Sequence, residues 1–120
     1  MKRIFTFSVL LIVAAVLLSS CRKGDPLLID ESYWLKQERG IVVFSDSFCE
    51  YYVVETFNGY TVIRSYGLKP FEGAVLYGNF SSWGYRTFYN RTEGRLINGD
   101  VRDYWLGYFE AQNRVSFYCY

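Results

Sequence analysis

The hydrophobic and polar positions divide the chain into stretches of different period. Ile4 to Leu18 is almost wholly apolar, broken only by Thr6 and Ser8, and follows a basic start at Lys2 and Arg3. Residues 22–29 show no period, and Gly24 and Pro26 break regular structure there. Asp30 then has the chemistry of a helix N-cap, Ile29 and Trp34 stand where a hydrophobic staple would, and Gly40 sits where a C′ glycine would. Glu31 near the start and Lys36 and Arg39 near the end suit the helix dipole. A short helix over Glu31–Arg39 is the expectation.

From Gly40 onward the period becomes two. Ile41 to Phe44 is an apolar run of strand type, ended by Ser45-Asp46-Ser47. Tyr51 to Phe57 and Tyr60 to Tyr66 flank Asn58-Gly59, a pair that favours a type I′ hairpin because both residues tolerate positive φ. That turn would pair Phe57 with Tyr60, Thr56 with Thr61 and Val54 with Ile63. One face would carry Tyr52, Val54, Ile63 and the threonines inward. The other would carry Val53, Val62 and a Glu55–Arg64 charge pair on a solvated surface.

Gly67 to Gly73 reads as a loop with Leu68 and Phe71 at its tip, followed by a strand over Ala74–Phe80, in which Gly78 suggests a bulge or barrel bend. Ser81 to Gly84 turns the chain, Tyr85 to Asn90 returns it, and Arg91 to Gly94 turns it again. Arg95–Ile97 and Val101–Leu106 are strand-like, split by Asn98-Gly99 as a second turn or an interruption of one long strand. Gly107 then suits an N-cap with Glu110 at N3, and Tyr108, Ala111, Val115 and Tyr118 recur on one helical face, with Cys119 beside it. A final strand over Arg114–Tyr120 is the alternative. The pattern predicts a mainly β domain: a small antiparallel barrel of five or six strands, of OB-like or SH3-like size, with a short helix before it and a C-terminal helix.

The apolar run at the N-terminus spans about 22 Å as a helix, short of the hydrocarbon core of about 30 Å. A basic start, a short apolar middle and small residues before a cut point make an export signal. Leu18-Ser19-Ser20-Cys21 resembles the lipobox of bacterial lipoproteins. The resemblance implies cleavage before Cys21, a diacylglycerol on its sulfur and an acylated new amino terminus. One acyl chain holds a protein to a bilayer marginally, whereas two or more hold it stably. Arg22 stands where many such proteins retained at the inner membrane carry aspartate, so the resemblance points to the outer membrane. The expected organisation is a signal peptide over residues 1–20, a lipidated tether over 21–29 and one β-rich domain over 30–120.

The signal takes two of the thirteen basic side chains and no acidic one, leaving eleven against twelve, a net charge of −1. Without a basic block, nucleic acid is not an expected partner. Aromatics are the outlier: twenty-three remain in the hundred residues after the signal. A domain this small hides only about 60% of its unfolded surface, so several rings must be partly exposed. Export also bears on the cysteines. With Cys21 acylated, Cys49 and Cys119 form an even pair in an oxidising compartment and are expected to bond; two separate buried thiols are the alternative.

Catalytic patterns are lacking. The chain has no histidine, no glycine-rich phosphate loop and no zinc-type cysteine spacing, so neither a metal nor a cofactor is implied. Asp100 and Asp103 are the closest carboxylates near an apolar strand, and both read as strand-end or turn residues rather than a hydrolytic pair. The expectation is no enzyme. Phe71, Trp83 and Tyr85 lie in or beside glycine-containing loops and form the candidate binding surface; the competing reading has Trp83 folding over an open barrel end as a plug. Three roles fit an envelope lipoprotein of this kind. The first is a binding or scaffold module for another envelope protein, and the second a glycan-binding surface module. The third is a small inhibitor or immunity lipoprotein acting against a hydrolase, a format shared by lysozyme-inhibitor lipoproteins without a matching motif here.

Overall fold

The computed structural model describes residues 29–120. The signal segment, Cys21 and most of the tether lie outside the described residues. Asp30 caps helix α1, Glu31–Trp34, accepting a hydrogen bond from the Tyr33 N–H at 3.4 Å. The helix ends well before Arg39 because the next residues are claimed by a sheet. Strand β1, Glu38–Ser45, pairs Arg39 with Tyr77 and Gly40 with both Leu76 and Thr56. Gly40 is therefore a strand residue, not a helix cap, and a Cβ there would lie 2.2 Å from Val54 Cγ1.

Five further strands follow: β2 (Tyr51–Thr56), β3 (Gly59–Tyr66), β4 (Val75–Gly78), β5 (Gly84–Asn90) and β6 (Arg95–Leu106). All neighbours are antiparallel, and the sheet closes into a barrel in the order β1-β2-β3-β6-β5-β4. Asn98-Gly99 neither turns nor breaks the chain; β6 runs through it as one strand of twelve residues, shared between β3 and β5. Glycine is needed there because a Cβ on Gly99 would meet Ile63 Cγ2 at 2.6 Å.

The β2–β3 hairpin forms with a different register from the one expected. Thr56 pairs with Gly59 and Val54 with Thr61, so Phe57 and Asn58 form the loop. The Thr56 hydroxyl decides this, accepting from the Asn58 N–H at 3.1 Å and donating to the Gly59 carbonyl at 3.0 Å. Positive φ falls on Gly59 alone in this turn, where a type I′ turn would require it of Asn58 as well. The pairing moves by two residues, which preserves the faces. Tyr52, Val54, Thr61 and Ile63 still point inward. Arg64 pairs with Glu50 at 3.1 Å instead of Glu55.

Inside the barrel, Val42, Tyr52, Val54, Ile63, Leu76 and Val101 pack around Phe80 and Phe88, whose rings stack at 4.9 Å. Outside it, helix α2, Tyr108–Cys119, lays Ala111 and Val115 on Val53 and Val62, covering the face expected to be solvated. Glu110 accepts from the Gly107 N–H at 3.3 Å, which sets the start of the helix and excludes a final strand. A Cys49–Cys119 disulfide fastens the far end of α2 to the β1–β2 loop. Beside it Tyr118 stacks on Tyr51 at 4.5 Å and donates to Asp103 at 2.8 Å. On another flank of the barrel, Glu31 of α1 accepts from Tyr89 at 2.7 Å, and Trp34 lies against the same ring.

Candidate functional site

The three rings singled out in the sequence are all exposed: Phe71 at 73%, Trp83 at 70% and Tyr85 at 62%. They do not form one surface. Phe71 is in the loop entering β4 and Trp83 in the loop leaving it, so β4 sets them at opposite ends of the barrel. Around Phe71 the loop is pinned to β1: Ser45 donates to the Pro70 carbonyl at 2.6 Å, and Glu72 accepts from the Ser45 N–H at 3.1 Å. Lys69 clamps it further by donating to the Asp46 and Cys49 carbonyls, and loss of water around the ammonium lowers its pKa. Tyr85, on β5, packs 5.4 Å from Tyr66 across β6.

Trp83 does not plug the barrel. Phe80 fills that end, fully buried, with its carbonyl accepting from the Thr61 hydroxyl at 3.0 Å. Trp83 stands outside, its ring 5.5 Å from Tyr104, and Trp105 meets the same tyrosine at 5.7 Å. Tyr104 is half-buried against the core, so it forms a base on which two indoles stand.

The loop carrying Trp83 is braced by its own polar side chains. Asn79 accepts from the Ser81 N–H at 3.0 Å and donates to the Ser82 hydroxyl at 3.1 Å. Arg86 donates to that hydroxyl and, at 3.1 Å, to the Trp83 carbonyl. Ser81 donates to Glu38 on β1 at 2.8 Å while accepting from Trp105 Nε1 at 2.8 Å. One relay thus links the Trp105 indole, a loop hydroxyl and a carboxylate on the first strand.

Trp105 is 59% exposed, and its φ is +58°, making it the one non-glycine with positive φ among the described residues. For a bulky residue this conformation is strained by about 1–3 kcal/mol. Sequence reading misses Tyr104 and Trp105, because adjacent aromatics inside a β-rich run look like ordinary strand residues.

Asp100 and Asp103, expected at a strand end or turn, both lie within β6, which runs through Asn98-Gly99 unbroken. Asp100 lies 3.3 Å from Arg102, and Asp103 accepts from Tyr118. Among the described residues, no group of three histidine, cysteine or acidic side chains is placed to hold a metal ion, and no helix is long and apolar enough to cross a membrane. A groove of about 500 Å³ lies between α2 and the sheet, bordered by Phe44, Val53, Tyr60, Tyr108 and Val115. Next to it the Glu55 carboxylate accepts from Tyr60 and raises the pKa of that phenol.

These features define a closed six-stranded antiparallel barrel with an exposed aromatic cluster at one end. No family model, curated protein or solved structure matches the chain.

Proposed function

We propose that the chain is a non-catalytic binding module, held by a lipid on Cys21 to the bacterial envelope, at the outer membrane in preference to the inner. The observation that carries the binding role is the Trp83–Tyr104–Trp105 cluster: two indoles left in solvent against a half-buried tyrosine, one of them tied through Nε1 to Ser81 and the other on a loop braced by hydrogen bonds. Rigid exposed aromatics lose little entropy on contact and are the usual anchors of recognition surfaces. The anchor rests on the lipobox-like Leu18 to Cys21 and the placing of Arg22. The apolar and aromatic tips at Leu68, Phe71 and Trp83 give an inhibitor role less support, since such a role calls for a protruding polar loop.

Two experiments test this reading. Cys21→Ala should shift the protein from the membrane fraction to the soluble fraction and abolish the lipid mass; unchanged partitioning and mass would refute the anchor. A photoreactive phenylalanine at Tyr85, activated in intact cells, should capture an envelope component, and Trp83→Ala should abolish that capture. Labelling indifferent to Trp83 would refute the binding surface.

A further inference from the structure

We infer that the Trp83–Tyr104–Trp105 cluster is a saccharide site, taking a neutral chain of linked pyranose units across its two indoles. The inference rests on the binding-module reading and names its ligand.

The backbone at Trp105 is the starting point. Strain at a bulky residue persists only where the surroundings over-determine it. Burial would be one compensation, but this ring is mostly in solvent. The backbone is set by a bulge, since Tyr104 and Trp105 together stand opposite Thr61 between the Tyr60–Leu106 and Val62–Asp103 pairs. The ring is held by the bond from its Nε1–H to Ser81, itself held by Glu38. The polar atom of the indole is therefore already engaged within the protein, and the ring offers a ligand its hydrocarbon π-surface. Trp83 offers a second ring against Tyr104, supported by a loop that Asn79, Ser82 and Arg86 lock in place.

A pyranose matches this arrangement. Its C–H face is apolar and lies on an aromatic ring, while its hydroxyls meet water and whatever N–H groups and lone pairs Asn79 and Arg86 have left beyond those that brace the loop. The two indoles are tilted from the Tyr104 ring by 63° and 88°, so the three rings do not share one plane. A chain whose successive rings are turned about each linkage can meet rings that differ in plane. A flat protein epitope buries its aromatic anchors in a dry centre, and here polar side chains interrupt the apolar area. Nucleobases also stack on exposed rings, but binding a nucleic-acid strand requires a basic track. The hundred residues after the signal carry a net charge of −1 instead.

The test uses the processed, lipidated protein in detergent micelles, with its disulfide intact. Binding is followed by isothermal titration calorimetry with cellohexaose and, separately, with chitohexaose, to distinguish an external plant-type glucan from the N-acetylglucosamine chemistry of bacterial wall glycans. At least one should give a saturable change. Trp83→Ala and Trp105→Ala should each weaken binding by about tenfold or more, as loss of one stacking ring implies. Phe109→Ala, on the exposed side of α2, should leave it unchanged. Trp83 lies on a loop away from the strained residue, so Trp83→Ala keeps the test valid if Trp105→Ala disturbs the fold, which circular dichroism monitors. No saturable response to either sugar, or binding that survives the loss of both indoles, would overturn the assignment. If neither sugar binds while Trp83-dependent photolabelling captures a protein, the saccharide assignment falls and the binding module stands. If that labelling also fails, both fall.

Discussion

Two regions of the barrel surface use the same aromatic material to opposite effect. Under α2, Tyr51 and Tyr118 stack face to face, the Tyr118 hydroxyl is spent on Asp103, and a disulfide holds the helix over Val53 and Val62. At the end of the barrel near Trp83, Trp105 is held through its Nε1 edge and Trp83 through its backbone carbonyl, with large parts of both rings left in water. Aromatic content alone does not separate scaffold from surface. The distinction lies in which part of each ring the protein uses for itself.

The largest expected effect falls on the covered region. Removing the bridge with Cys49→Ala and Cys119→Ala opens a 70-residue loop. It should cost about 4 kcal/mol on the chain-entropy model, read from denaturant midpoints. Proteolysis should then begin within α2. Val62→Ala, beneath the helix, should cost about 2 kcal/mol with an unchanged denaturant slope, as for other cavity-forming truncations.

A smaller effect concerns alkali. Burial first, then donation to Asp103, raises the Tyr118 pKa above its ordinary value of 10.0. The folded state therefore holds that proton more tightly than the unfolded chain. The stabilisation is complete below pH 10 and is lost as pH rises through the folded pKa. Arg102 and Arg114 nearby oppose the shift, while Tyr60 and Tyr89, each donating to a carboxylate, share its direction. Tyr118→Phe should remove part of the alkaline slope and about 1 kcal/mol of stability at neutral pH.

At the other region the signs differ. Trp105→Gly should relieve positive-φ strain and leave stability unchanged or raised by up to about 1 kcal/mol, even as ligand binding is lost. Trp83→Ala should change stability by less than about 0.5 kcal/mol. A core-sized loss at Trp83 would erase the contrast between the two regions.

Much of the barrel is legible in the chain because period-two alternation is a local signal. It places Tyr52, Val54 and Ile63 inward even though the hairpin closes one residue earlier than Asn58-Gly59 suggests. What alternation omits is competition. A threonine hydroxyl redirects the turn at Thr56, and pairing with Tyr77 and Leu76 takes Arg39 and Gly40 from the first helix. The terminal helix is readable because Gly107, Glu110, Ala111 and Val115 agree at every level. The candidate site is only partly so. Trp83 advertises itself beside glycines, as Phe71 does, but nothing local says that the two loops lie at opposite ends. The positive φ that sets Trp105 apart arises at the bulge where β6 places two residues opposite Thr61 of β3, a matter of long-range pairing with no residue-level mark.

The pairing of β1 with both β2 and β4 has a consequence for a molecule tethered as proposed. Proteins confined to a membrane surface meet their neighbours at high local density, and an open sheet there would offer a bare rim of main-chain donors and acceptors on which the next copy could grow. A ring of strands with no first or last member has no such rim. Crowded copies can then sit side by side without templating one another, leaving encounters to their side chains.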